Sequence, residues 1–223
     1  MSRKRKAPDS KEPQKKAAKL RMSRSQSKQI TREKLLAAAR ALFSAKGYQE
    51  ATLREVAKHA GVSVGSVFTT FESKEDVLFA IAAEGYEALA EAIDTEASGP
   101  LSAREKLKRG FRAAYAHEVD RHALLMAQIG ASWTWSHAFE AKSQERLAKP
   151  FGFIGRLVQE AAARGEVRAD VDLATLADML LSAYLRNYRH AWYRGLSAAH
   201  MADMGERQID ILFDGAAPRP SGA

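Results

Sequence analysis

Between Thr52 and Lys74, the side chains able to do chemistry are hydroxyls and a cation: Thr52, Ser63, Ser66, Thr69, Thr70 and Lys74. Such groups donate hydrogen bonds to oxyanions and to the edges of bases, and none is a covalent catalyst without an adjacent base. No such base is evident elsewhere. The histidines at 59, 117, 122, 137, 190 and 200 show no i, i+4 pairing, and His117 and His122, five apart, point in different directions on a helix. There is no HExxH and no glycine-rich phosphate loop. Cysteine is absent, which removes a thiolate metal site, a cysteine nucleophile and a disulfide framework. His137, beside Trp133 and Trp135, reads either as a ligand's hydrogen-bond partner or as a capping or surface histidine. Acids such as Glu105, facing Arg109 at i, i+4, read as solvated helix faces. The chain therefore reads as a binder, not an enzyme, with no catalytic residue, metal or cofactor.

The elements that must position those hydroxyls are legible from Thr52 to Phe71. Thr52 and Glu55 have the spacing of a capping box, in which the hydroxyl takes an early helical amide and the carboxylate reaches back to the cap. Val56, Ala57 and Ala60 form an apolar face, and Gly61 falls where the left-handed stop of a helix favours glycine. Val62 plugs the turn, Ser63 caps the next helix, and Val67 and Phe71 restore apolar i, i+4 spacing. The outer face keeps Val64, Gly65, Ser66, Thr69 and Thr70, with no acid to repel phosphate. This is the pattern of a helix-turn-helix, whose second helix enters the major groove of DNA. An ordinary helical hairpin shares the glycine turn but does not require an acid-free outer face.

Upstream, Thr31 to Lys46 reads as a helix with Leu35, Leu36, Ala39, Leu42 and Phe43 buried, closed by Gly47. Downstream, Ser73 caps a helix whose first turn contains Lys74. A cation there is disfavoured by roughly 0.3–1 kcal/mol, a sign that a bound phosphate would reverse; a solvated lysine is the plainer alternative.

Ala41-Leu42-Phe43, Gly47-Tyr48, Thr52, Val56-Ala57, Ala60-Gly61-Val62-Ser63, Gly65, Val67-Phe68, Phe71 and Ser73-Lys74-Glu75 together resemble the DNA-binding domain of the tetracycline-repressor (TetR) family of bacterial regulators. The resemblance covers about Thr31 to Leu78, roughly a fifth of the chain. It implies phosphate contacts at Thr52, Phe68 and Lys74, and base and backbone contacts from Ser63, Val64, Gly65, Ser66, Thr69 and Thr70. The family often has tyrosine where Phe68 stands and histidine where Thr70 stands. Phe68 cannot donate a hydrogen bond, whereas Thr70 can.

The rest of the chain is helical in pattern, with no strand-like alternation or internal repeat. The helix from Lys74 is expected to reach Ala97, where Ser98-Gly99-Pro100 breaks it. Further helices are expected over about 102–117, 119–131, 136–164, 172–194 and 198–213, with Asp172 as a cap. Pro150 either kinks the fourth of these or marks a later start. The expected fold class is all-α, a three-helix helix-turn-helix head on a larger helical ligand-binding and dimerisation body. Its expected divisions are a disordered basic tail over 1–28, a DNA-binding domain over 29–78, the helical body over 79–215 and a disordered end over 216–223.

All three tryptophans and most tyrosines lie in the body, which suits a packed core or a ligand pocket. The resemblance implies a pocket for a small effector, and Phe111, Tyr115, Met126, Trp133, Phe139 and Tyr184 are its candidate lining. It also implies a homodimer through the last two long helices. Leu173, Leu176, Leu180, Leu181, Tyr184, Leu185, Tyr188 and Trp192 crowd more than one face of the first, and Ile209, Leu212 and Phe213 serve the second. The expected function is sequence-specific transcriptional regulation, by a dimeric repressor that leaves double-stranded operator DNA when a small, largely apolar or aromatic effector binds. A ligand-independent, DNA-bound interaction protein on the same scaffold is the alternative.

Charge is unevenly placed. Of the net +8, residues 1–28 hold eleven Lys or Arg against Asp9 and Glu12, leaving the remaining residues near neutral. A basic arm of this kind can follow the DNA backbone or enter the minor groove. It can also merely aid solubility or bind any polyanion, and a start at Met22 would remove most of it. No apolar run approaches the ~20 residues of a membrane span, so a cytoplasmic protein with no membrane partner is expected.

Overall fold

The computed structural model describes residues 23–216, so the expectations for residues 1–22 and 217–223, including the alternative start at Met22, lie outside the described residues. The chain folds as α1 (Arg24–Lys46), α2 (Leu53–Ala60), α3 (Val64–Phe68), α4 (Lys74–Ala83), α5 (Tyr86–Glu96), α6 (Ala103–Glu118), a 3₁₀ turn (Val119–Arg121), α7 (His122–Ser132), α8 (His137–Ala163), α9 (Leu173–Arg194) and α10 (Ala198–Ala216). No strand occurs among the described residues, so the all-α expectation is met.

The local signals of the head act as read. Thr52 and Glu55 form both arms of the capping box, Gly61 takes the left-handed conformation (φ 66°, ψ 33°), and Ser63 caps α3. Caps of this kind each contribute about 1 kcal/mol. Glu55 is also bonded by Lys46 and Thr52, which hold its carboxyl down at about 2. Leu35, Leu36, Ala39 and Phe43 of α1 close over Val56, Ala57, Val67 and Phe71 to form the head's core.

Three boundaries differ from expectation. Helix α1 begins at Arg24, not Thr31, because Ser23 and Gln26 form a second capping box; residues 24–28 are helix, not tail. Ala216 likewise ends α10 and is buried, so it belongs to the folded body. The single helix expected over Lys74–Ala97 is broken at Glu84-Gly85. There, a Cβ on residue 85 would collide with the guanidinium of Arg121. That guanidinium donates to the carbonyls of Ile81 (3.0 Å) and Ala82 (2.8 Å), supplying partners at the end of α4.

Helix α8 runs through Pro150 without a break. Proline has no amide proton, so the Arg146 carbonyl has no donor four residues on.

Helix α4 joins the two parts of the molecule. Val77 to Ala82 are all buried. Val77, Leu78 and Ile81 belong to the head's core, which Ala131 of α7 also joins, with Leu124 and Ala127 packed against it. Phe79 and Ala82 form a second cluster with Tyr86, and Trp135, Phe139 and Leu147 pack on it. A helix apolar all round is one covered on every side. The division expected between residues 78 and 79 thus falls inside a shared element. The body's own core comes from α5, α6 and α8–α10, around Leu107, Phe111, Tyr115, Phe153, Tyr184 and Tyr188.

Candidate nucleic-acid interface and body cavity

With Val67 and Phe71 buried, the opposite side of α3 is turned outward. Ser63, Val64, Gly65, Phe68 and Thr69 are exposed, and Ser66 and Thr70 are half-buried. Phe68 is 59% exposed, an apolar ring whose covering would favour association. The Ser63 and Ser66 hydroxyls lie 2.8 Å apart and share one hydrogen bond, which leaves the pair a proton to donate outward.

The remaining expected donors are already engaged. The Thr52 hydroxyl donates to Glu55 Oε2 (2.7 Å), and those of Thr69 and Thr70 both donate to the Ser66 carbonyl (3.1 and 2.7 Å). Lys74 Nζ donates to the Gln49 carbonyl (2.9 Å) and lies 4.3 Å from the centre of the Tyr48 ring. Burial lowers its pKa. The unfavourable placement of Lys74 near a helix start is therefore offset inside the protein, and a phosphate there must compete with a carbonyl and an aromatic face.

Sequence reasoning missed the partner of α3. Ser25, Ser27, Lys28, Gln29, Thr31 and Arg32 of α1 and Ser66, Thr69 and Thr70 line a groove of about 750 Å³. Among the described residues it contains two cations and no carboxylate, a composition suited to a phosphate backbone. For Ser25, Ser27 and Lys28 the signal was present as the Ser23-x-x-Gln26 spacing, which puts them on a helix instead of in a tail.

In the body, a cavity of about 540 Å³ opens between α7, α8 and α9. Its aromatic walls are Tyr86, Trp133, Trp135 and Phe151. Aliphatic surface comes from Leu125, Ile129, Leu147, Leu181 and Leu185, and polar groups from Gln128, Ser132, Glu140 and Gln144. Its size and mixture match small-molecule sites, which span about 300–1,000 Å³. Gln128 donates to the Tyr86 hydroxyl at 2.8 Å, and burial pushes that phenol up to about 12.

Of the six side chains expected to line a pocket, Trp133 does so. Phe111, Tyr115 and Tyr184 are fully buried, with the Tyr115 and Tyr184 rings stacked at 5.0 Å and Phe111 edge-on to both. The tyrosine hydroxyls belong to a closed network. The Glu118 carboxylate accepts from Tyr184 (3.1 Å) and Tyr188 (2.8 Å), and Asn187 donates to Tyr115 (2.9 Å). Burial raises the pKa of Glu118. A satisfied network of this kind fixes a core and leaves no group for a ligand. Met126 packs against that core, and Phe139 packs on Phe79 and Trp135 beside a separate cleft. His137 is exposed and does not line the cavity.

The apolar positions expected at a dimer contact are likewise used internally. Leu176, Leu180, Tyr184, Tyr188, Ile209 and Phe213 are buried, Leu173 and Leu212 pack against the same core, and Leu181 and Leu185 line the cavity. Trp192 is half-exposed. It joins Met179, Tyr193 and Ile211 as the large apolar side chains that α9 and α10 show to solvent.

A helix-turn-helix with an acid-free outer face, on an all-helical body with a cavity, is the architecture of a DNA-binding regulator. Residues 35–81 match the family described as bacterial regulatory proteins, tetR family. The repressor KstR2 of Mycolicibacterium smegmatis is 25% identical over 199 residues, covering 82% of this chain and 89% of that protein. KstR of Rhodococcus jostii is 26% identical, covering 85% of each. Among solved structures, the TetR-family repressor FadR of Thermus thermophilus, in complex with lauroyl-CoA, superposes with a TM-score of 0.66 at 26% identity, over 86% of this chain and 98% of that one. FadR of Bacillus subtilis with stearoyl-CoA gives the same TM-score at 18% identity, over 82% and 98%. The head thus carries a TetR-family DNA-binding domain, and the matches along the rest of the chain support a transcriptional regulator of that family. No helix among the described residues is long and apolar enough to cross a membrane.

Proposed function

We propose that the protein is a cytoplasmic, dimeric repressor that leaves its operator when a small, largely apolar or aromatic molecule enters the cavity between α7, α8 and α9. The observation carrying this reading is that both cavity walls are tied to α4. Helix α7 reaches the head's core through Leu124, Ala127 and Ala131, and Arg121 just before it holds the end of α4. Helix α8 is paired to the start of α4, Lys142 with Glu72 (2.8 Å) and Arg146 with Asp76 (3.7 Å). A molecule that spreads α7 from α8 acts on both ends of α4 and so on the head. Surface pairs like these contribute little stability; they set the position of α4.

The acyl-CoA ligands of the two FadR proteins support an apolar occupant. Dimerisation through the outward face of α9 and α10 is supported by Met179, Tyr193 and Ile211, apolar groups that a monomer leaves in water. A two-fold pair would present two copies of α3 to major grooves about 34 Å apart or a multiple of that. Ser63, Val64, Gly65, Ser66, Phe68 and Thr69 would then meet the DNA, with Lys28 and Arg32 along the backbone and the basic arm of residues 1–22 beside them. For release, the ligand must bind the DNA-incompetent state more tightly; a coupling of about 1–3 kcal/mol is typical.

Fluorescence anisotropy at near-physiological salt tests the reading, with the region upstream of the protein's own gene set against a shuffled sequence. A preference of about 10³ or more is expected. Equal, weak, salt-sensitive binding that persists on a random-sequence pool would remove it.

A further inference from the structure

The cavity's polar groups carry information about charge. Gln128 uses its amide on Tyr86, Ser132 donates to the Ile129 carbonyl, and Gln144 donates to Glu140 Oε1 at 2.6 Å. Glu140 Oε2 is left with no hydrogen-bond donor, and Glu140 has no cationic partner among the described residues. Among the described residues, no Lys or Arg lines the cavity.

That absence is not a shortage of cations on α8. Lys142, Arg146, Lys149 and Arg156 pair with Glu72, Asp76, Glu87 and Asp94, on the side facing α4 and α5. Glu140 and Gln144 fall on the cavity side instead, one turn apart. The cavity therefore presents one unpaired carboxylate, and Tyr86, Trp133, Trp135 and Phe151 supply aromatic faces that attract positive charge. The chain of a fatty acyl-CoA would suit the apolar walls, but its phosphates would meet a carboxylate and no cation.

Resting on the reading of this cavity as the effector site, we infer that the effector is an apolar or aromatic compound bearing a single cationic group, an amine or quaternary ammonium held at Glu140, and not an acyl-CoA.

The test uses the full chain and four ligands of one chain length, each below its micelle concentration: decyltrimethylammonium, decanol, decanoate and decanoyl-CoA. Titration calorimetry gives affinities, and quenching of tryptophan emission reports occupancy beside Trp133 and Trp135. The ammonium compound is expected to bind about tenfold more tightly than decanol, with decanoate and decanoyl-CoA weaker than both. Glu140→Gln should bring the ammonium compound to within about twofold of decanol while leaving decanol unchanged, which also shows the variant is folded. Glu140→Lys should transfer the preference to decanoate. Decanol binding as tightly as the ammonium compound, or decanoyl-CoA more tightly, would overturn the inference and leave the cavity as an effector site. Failure of all four to bind would overturn both.

Discussion

The head and the body are both helical, yet they are specified differently. In the head, each helix start and stop is set by residues three or four apart, such as Ser23 with Gln26, Thr52 with Glu55, and Gly61 in its left-handed turn. In the body, the deciding contacts are far apart in sequence: Glu118 with Tyr184 and Tyr188, Tyr115 with Asn187, and Arg121 with the end of α4. The head meets a ligand of fixed shape and can rely on a short motif. The body must close a core around a cavity, and that is a property of several helices at once.

Substitutions in the two regions should therefore fail in different ways. Ser66→Glu puts a carboxylate on the outward face of α3 and should weaken specific DNA binding by more than about 100-fold, with the helical circular dichroism spectrum and melting temperature unchanged. Retained affinity would show that α3 is not the reading helix. Phe111→Ala should do the reverse. It removes a fully buried ring and should cost about 3–5 kcal/mol by urea unfolding, while the folded fraction keeps its DNA affinity. Loss of affinity in that fraction would mean that the core, as well as α4, is coupled to the head.

A smaller effect concerns Glu118. Its folded pKa is raised by burial from the ordinary 4.5, so the folded state holds the proton more tightly than the unfolded one. Its contribution is fully present below about pH 4.5 and is lost as the pH rises through the raised value. Relative to Glu118→Gln, the wild type should thus lose stability across that window, as read by melting temperature against pH. Parallel curves would show that burial does not perturb the carboxyl. The smallest effect is expected from removing residues 1–21. The dependence of log affinity on log salt should flatten by about 0.9 for each phosphate that the arm had neutralised, and an unchanged slope would make the arm a passenger.

What was legible in the sequence follows the same division. Caps, the glycine turn and apolar spacing are local, so α2, α3 and the start of α4 could be read from single residues. The break at Gly85 could not, because its cause is Arg121, thirty-six positions away. Phe111, Tyr115 and Tyr184 misled because a core and a pocket both call for aromatic side chains at helical spacing. The better guide was polar: Gln128, Glu140 and Gln144 interrupt otherwise apolar faces of α7 and α8, and these mark the cavity. Lys28 was obscured because a basic segment preceding an apolar helix reads equally well as a tail, and Arg32, on the expected helix, was not linked to α3 because that pairing is set by tertiary packing.

The burial of α4 also limits how the molecule can be cut and recombined. A chain ended at Ala83 would put Phe79 and Ala82 in water and strip the Ile81 and Ala82 carbonyls of Arg121. The head is therefore not a portable cassette. A chimera that grafts it onto another body must bring the α7 surface of Leu124, Ala127 and Ala131 with it, or rebuild that surface on the recipient.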